Sequence, residues 1–222
     1  AYIISQMARH MAAEAAVNLV VQQPKTLPVE GVRVAASPDL APDAVPDADV
    51  IVAHADCDTH KAFADLPASK GRKWLYLQGF GDKKCDRNIK TGLKLAARRG
   101  HRVAACSRYL AEQAERRGTL ARLVAHGLDH DLFHPPAADG PRPPSVAMLT
   151  HGAGWKGTED GLKALDMVRK KRPDAAFWLF GGRPVLFKGN FLYNLPREEV
   201  ADLLRRAAVY VCPSWFEGFG LP

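Results

Sequence analysis

The stretch Tyr210-Val211-Cys212-Pro213-Ser214-Trp215-Phe216-Glu217-Gly218-Phe219-Gly220-Leu221-Pro222 decides how the rest of the chain is read. Residues 207–211 form a short apolar run, the pattern of a buried parallel strand. Pro213 and Ser214 stop it, and the loop that follows carries one carboxylate, Glu217, between an aromatic residue and two glycines. In an open α/β sheet, ligands bind beyond the carboxyl ends of the strands, which is where this loop falls. Gly218 and Gly220 leave the backbone free to approach a ligand. A carboxylate there can accept hydrogen bonds from paired hydroxyls, as on a sugar ring. The same residues also fit a strand followed by a plain glycine turn.

Upstream, elements with strand and helix periodicity alternate. Strands are expected over 32–36, 49–54, 73–78, 102–106, 121–125, 146–149, 175–180 and 207–211. Helices are expected over 3–22, 58–66, 89–99, 109–117, 158–171 and 197–206. Ser107 is placed to cap one helix and Gly118 to end it, and Pro196 opens another. Such alternation implies α/β architecture with doubly wound parallel sheets. The proline-rich run 136–144 reads as a linker, because prolines fix φ and remove donors. It divides an amino-terminal Rossmann-like domain, 1–135, from a second one, 145–222. A unit of this kind ordinarily opens with a strand, and 3–22 reads as a helix with none before it. The first strand is therefore expected to be missing.

A second candidate feature lies after the strand at 146–149. His151-Gly152-Ala153-Gly154-Trp155-Lys156-Gly157 leads into a helix. Glycines expose backbone amides, the helix start contributes positive potential, and Lys156 adds a full charge, a combination suited to a diphosphate. A glycine turn with a solvated lysine is the plainer alternative.

Composition bounds the function. With 222 residues, 47% hydrophobic and 25% charged, the chain can bury a core, and no apolar run reaches the roughly 20 residues of a membrane span. Cys57, Cys85, Cys106 and Cys212 have neither metal-ligand nor redox spacing. Cys106 and Cys212 are expected to be buried thiols, and a reduced, cytoplasmic protein is the expected setting. The net charge of +7 suits phosphate-bearing ligands, anionic membrane or nucleic acid. No dense basic run with interleaved aromatics occurs, so no nucleic-acid partner is expected.

Taken together, Ser214 with Glu217-Gly218-Phe219-Gly220-Leu221-Pro222 resembles the donor-sugar loop of the retaining glycosyltransferases of family four, which have the GT-B fold. Lys156-Gly157 resembles that family's diphosphate-binding pair, with His151 standing where the family has an arginine. Arg183, after Gly181-Gly182, is either a substitute for that arginine or a surface residue. Ser107 and its helix, Val124-Ala125-His126-Gly127-Leu128-Asp129, Phe133-His134-Pro135 and Leu195-Pro196-Arg197-Glu198-Glu199 follow the family's order. Gln78 ends the strand that in the family carries a donor-contacting histidine. The resemblance runs over residues 100–222, and before that it is architectural only.

The resemblance implies a two-domain GT-B enzyme, incomplete at both ends, since the family's second glutamate would fall beyond Pro222. It implies transfer of a sugar from a nucleotide-sugar donor to a hydroxyl acceptor (glycan, lipid-linked or small molecule) with retention of configuration. The nucleotide sugar is a substrate, and neither a cofactor nor a metal is implied. Lys156 and Glu217 would be catalytic. His151, Gly152, Lys156, Gly157, Gly182, Arg183, Ser214, Glu217, Gly218, Phe219, Gly220, Leu221 and Gln78 would bind substrate. A peripheral contact with the anionic inner face of a membrane stays open. So do two rival functions, a GT-B nucleotide-sugar epimerase and a non-catalytic nucleotide-sugar-binding fragment.

Overall fold

The computed structural model describes residues 2–21, 29–54, 63–79, 83–137 and 140–220. The chain divides into two compact units, Ala1–His126 and Gly127–Pro222, so the proline-rich run belongs to the second.

In the first unit, four strands, β3 (Val50–His54), β4 (Arg72–Leu77), β5 (Arg102–Ala105) and β6 (Ala121–Leu123), pair in sequence order, all parallel. Parallel neighbours need crossovers, and two of these are helices, α2 (Lys83–Arg99) between β4 and β5 and α3 (Arg108–Glu115) between β5 and β6. Ser107 caps α3 as expected, its Oγ accepting from Leu110 N at 3.3 Å. Leu77, Leu93, Ala105, Cys106 and Leu110 are fully buried between sheet and helices.

The helix expected over 3–22 is two elements. Helix α1 (Tyr2–Met11) ends early, and Val17–Val21 is a strand, β1, paired in parallel with β2 (Val32–Ala36). Both segments carry apolar residues at spacings that serve either structure. The β-branched run at 17–21 becomes a strand because 32–36 supplies a partner five residues long. The helix expected at 58–66 falls mostly outside the described residues, as do Cys57 and the side chain of Cys85.

The second unit has strands β7 (Ser145–Leu149), β8 (Ala176–Gly181), β9 (Asn190–Tyr193) and β10 (Val209–Val211), in the order β10-β7-β8-β9, again all parallel. Helix α4 (Thr158–Lys171) links β7 to β8, and α5 (Arg197–Arg206) links β9 to β10. Alternation along β7 sorts the core into two layers. Val146 and Met148 pack with Leu165 of α4, whereas Ala147 and Leu149 pack with Leu203 of α5. The two helices therefore cover opposite faces, and the sheet is doubly wound. Acidic residues open both helices and basic ones close them, complementing the helix dipoles.

Three expectations change here. β10 lies at one end of the strand order with Val209 about half exposed, so it is not the fully buried strand its apolar run suggested. Cys212 is exposed, whereas Cys106 is a buried thiol as expected. β9 is a strand beyond those expected, because Asn190-Phe191-Leu192-Tyr193 is too short to declare a period by itself. The fold class is the expected one, α/β with two parallel-sheet units. Among the described residues, no helix is long and apolar enough to cross a membrane.

Candidate functional site

Strand order positions the site. From β7 the chain moves through α4 to β8 and then β9, and α5 returns it to the opposite side of β7 as β10. The direction of winding reverses between β7 and β10. Loops leaving the carboxyl ends of two such strands diverge to opposite faces and leave a crevice between them. Here those loops are 150–157 and 212–220, the two features singled out in the sequence.

The loops are held together by contacts at several points. Trp215 N donates to Trp155 O at 2.9 Å. The Trp155 and Phe216 rings stack with centroids 6.3 Å apart and an interplanar angle of 9°. Gly157 has φ +61°, and a Cβ there would collide with the Pro213 carbonyl. Glycine is thus required twice over, by the left-handed backbone and by the close approach. Gly161, one turn into α4, likewise admits the Pro213 ring, whose Cγ would be 2.9 Å from an added Cβ.

Within this frame Lys156 Nζ donates to Glu217 Oε1 at 2.6 Å, and each side chain is 28% exposed. A cation and a carboxylate 61 positions apart in sequence thus form one half-buried pair at the carboxyl ends of β7 and β10. Burial, then the neighbouring Cys212 and Glu217, push the Tyr210 phenol above its ordinary range.

His151 is tied down by its backbone. Its N donates to Thr158 Oγ1 at 3.0 Å, and that hydroxyl donates back to His151 O at 2.9 Å. Ala153 N donates to His151 Nδ1 at 3.0 Å. An Nδ1 that accepts leaves the ring's proton on Nε2 in the neutral form. Beside this turn lies Arg183, whose Nη1 is 3.5 Å from Gly152 O and whose backbone carbonyl accepts from Thr150 Oγ1 at 3.0 Å. Gly181 just before it packs so tightly on the Thr150 carbonyl that a Cβ would not fit.

The structure therefore gathers His151, Gly152, Lys156, Gly157, Arg183 and Glu217 at one end of one sheet. Gly182 precedes Arg183 and faces the Asn194 side chain, 3.2 Å from where a Cβ would sit. Ser214 and Gly218 are half-buried in the same loop, Phe219 is exposed, and Gly220 has φ +75°. Leu221 lies outside the described residues. Gln78 belongs to the first unit, directly after β4, and its Nε2 is buried with no hydrogen-bond partner among the described residues. No group of three His, Cys, Asp or Glu side chains among the described residues is arranged to hold a metal ion.

Sequence reasoning passed over Trp155, Trp215 and Asp160. Trp215 is 72% exposed, yet its Nε1 donates to Asp160 Oδ2 at 3.0 Å. The available signal was the repetition of aromatic residues directly before both charged residues, Trp155-Lys156 and Trp215-Phe216-Glu217.

Two solved structures share this fold. The chain aligns with a crystal structure of TarM at a TM-score of 0.61 and 12% identity, over 78% of this chain and 37% of that one. It aligns with the catalytic domain of starch synthase IV from Arabidopsis thaliana, bound to ADP and acarbose, at a TM-score of 0.54 and 15% identity, over 79% of this chain and 54% of that one. This chain thus spans between about a third and about half of those proteins. No protein-family model and no curated protein matches it in sequence.

Proposed function

We propose that the chain belongs to a GT-B glycosyltransferase that moves a sugar from a nucleotide donor to a hydroxyl acceptor with retention of configuration, and that its second unit binds the donor. The observation that carries this reading is the Lys156–Glu217 pair at the winding reversal of the second sheet. A nucleotide sugar presents a diphosphate and a hydroxylated ring side by side, and this pair offers one complementary group for each. Lys156, with Arg183 beside the same turn, would hold the diphosphate, and Glu217 would accept hydrogen bonds from ring hydroxyls. Transfer breaks the bond between the anomeric carbon and a diphosphate oxygen. Lys156 would stabilise the charge that develops on that oxygen.

Support also comes from the fold shared with the starch synthase domain, whose structure holds ADP and acarbose. His151, whose Nδ1 accepts from a backbone amide, would offer its Nε2 proton to the donor. The test is calorimetry with UDP, ADP and GDP on the protein and on Lys156→Ala, followed by turnover of the corresponding nucleotide sugars. At least one nucleotide should bind, and the substitution should weaken it by about 1.5–3 kcal/mol, the value of a charged hydrogen bond. Equal affinity for both proteins would remove Lys156 from the site. Proton NMR of the product linkage decides retention, and an inverted anomer would refute it.

A further inference from the structure

The donor loop carries an aromatic side chain that the assignment of Lys156 and Glu217 leaves without a role. The Trp215 indole is 72% exposed. An exposed tryptophan alone means little, since apolar side chains are common on surfaces. This one is anchored: its backbone N donates to Trp155 O at 2.9 Å and its ring Nε1 to Asp160 Oδ2 at 3.0 Å. Its edge is pinned while most of its surface faces solvent. Beside it in sequence, Phe216 is 37% exposed and Phe219 is 41% exposed, and Phe216 stacks on Trp155. The loop thus presents an apolar aromatic rim next to Glu217.

We infer that Trp215 is a stacking platform for a pyranose ring of the acceptor. The inference rests on the proposed sugar transfer, and it adds the chemical class of the acceptor. A pyranose has an apolar face of C–H bonds and a rim of hydroxyls. An aromatic ring fixed in orientation meets the face without losing rotamer freedom on binding. The Asp160 carboxylate that anchors the indole edge accepts hydroxyl donors. An anionic membrane surface would be repelled by Asp160 and by Glu159 beside it.

The test uses maltoheptaose and chitohexaose as pyranose probes, read by tryptophan fluorescence and calorimetry on the protein, Trp215→Ala, Trp215→Phe and Trp215→Tyr. At least one probe should bind the unmodified protein, and Trp215→Ala should weaken it about tenfold, the scale of one aromatic contact. The Phe and Tyr variants should keep part of the affinity, because they keep the flat ring and lose the bond to Asp160. UDP, ADP and GDP should bind the Ala variant as well as they bind the unmodified protein. Equal sugar affinity in all four proteins, or no affinity in any, would overturn the platform. Loss of nucleotide affinity in Trp215→Ala would overturn it in favour of a base-stacking role. Cosedimentation with vesicles of three parts phosphatidylcholine to one part phosphatidylglycerol, lost in Trp215→Ala, would overturn it in favour of a membrane contact. Sugar binding that depends on Trp215 while no nucleotide binds any of the proteins would instead refute the donor-site reading and leave the platform standing.

Discussion

Glu217 pairs with the cation that the proposed function assigns to a diphosphate, so releasing that cation should have a measurable consequence. Two unit charges 2.6 Å apart attract by about 6 kcal/mol at an effective dielectric of about 20. Removing both groups partly from water opposes most of this. Exposed pairs retain about 0.2–1 kcal/mol, and breaking buried ones costs about 3–5 kcal/mol. With both side chains 28% exposed, a net coupling of about 1–2 kcal/mol is expected. A diphosphate must compete with Glu217 for Lys156 and also meets the carboxylate's repulsion. Glu217→Gln removes both obstacles with little change of shape. The bare nucleoside diphosphate should therefore bind Glu217→Gln about 5- to 30-fold more tightly, the equivalent of that coupling. The gain should shrink as salt rises from 0.05 to 0.5 M, because screening weakens the pair it abolishes. Sugar transfer should fall nonetheless, since the contact from Glu217 to the ring hydroxyls is lost. Calorimetry on the unmodified protein, Glu217→Gln, Lys156→Ala and the double variant completes a cycle. Weaker nucleotide binding by Glu217→Gln, or an effect that persists unchanged without Lys156, would refute the competition.

Other outcomes follow from single contacts. Gly157→Ala places a side chain at φ +61° against the Pro213 carbonyl, so urea unfolding should register a loss of about 1–3 kcal/mol together with loss of nucleotide binding. Ser107→Ala removes the cap of α3 and should cost about 1 kcal/mol in the same assay, with nucleotide affinity unchanged. His101 has an Nδ1 that is buried without a partner among the described residues, and burial, then Lys73 and Arg99, lower its pKa from 6.5. The unfolded chain takes up that proton first, so stability should decline as pH falls below 6.5. His101→Phe should make melting temperature less dependent on pH between about 5 and 7, leaving a smaller slope from His126, which burial lowers as well. An unaltered slope would remove His101 as its cause.

Much of the architecture was legible because local chemistry writes it. The cap at Ser107, the acidic start and basic end of α4, and the glycine-rich turns after β7 and β10 each depend on residues a few positions apart. The chain from β7 onward could be divided into strands and helices on that basis, and both candidate loops were found there. Where one apolar spacing serves two structures, the sequence left the choice open. Residues 17–21 became a strand only because 32–36 lies alongside, and Asn190–Tyr193 became one only beside β8.

Local chemistry made the site legible as two separate loops, and only the family resemblance assigned both to one donor. Nothing within 150–157 or 212–220 states that β10 lies next to β7 rather than beyond β9. That order is set by which hydrophobic face each helix covers, with Leu165 packing on one side of the sheet and Leu203 on the other. Those contacts link residues far apart in the chain, and no local periodicity encodes them. Once β10 sits beside β7, Lys156 meets Glu217 at 2.6 Å across 61 positions of sequence, and Trp155 and Trp215 share a hydrogen bond. Packing on β8 brings Arg183 to Gly152 in the same way, through the close approach of Gly181 to Thr150. The residue types that could handle a diphosphate and a sugar were in the sequence; their meeting is a property of the strand order.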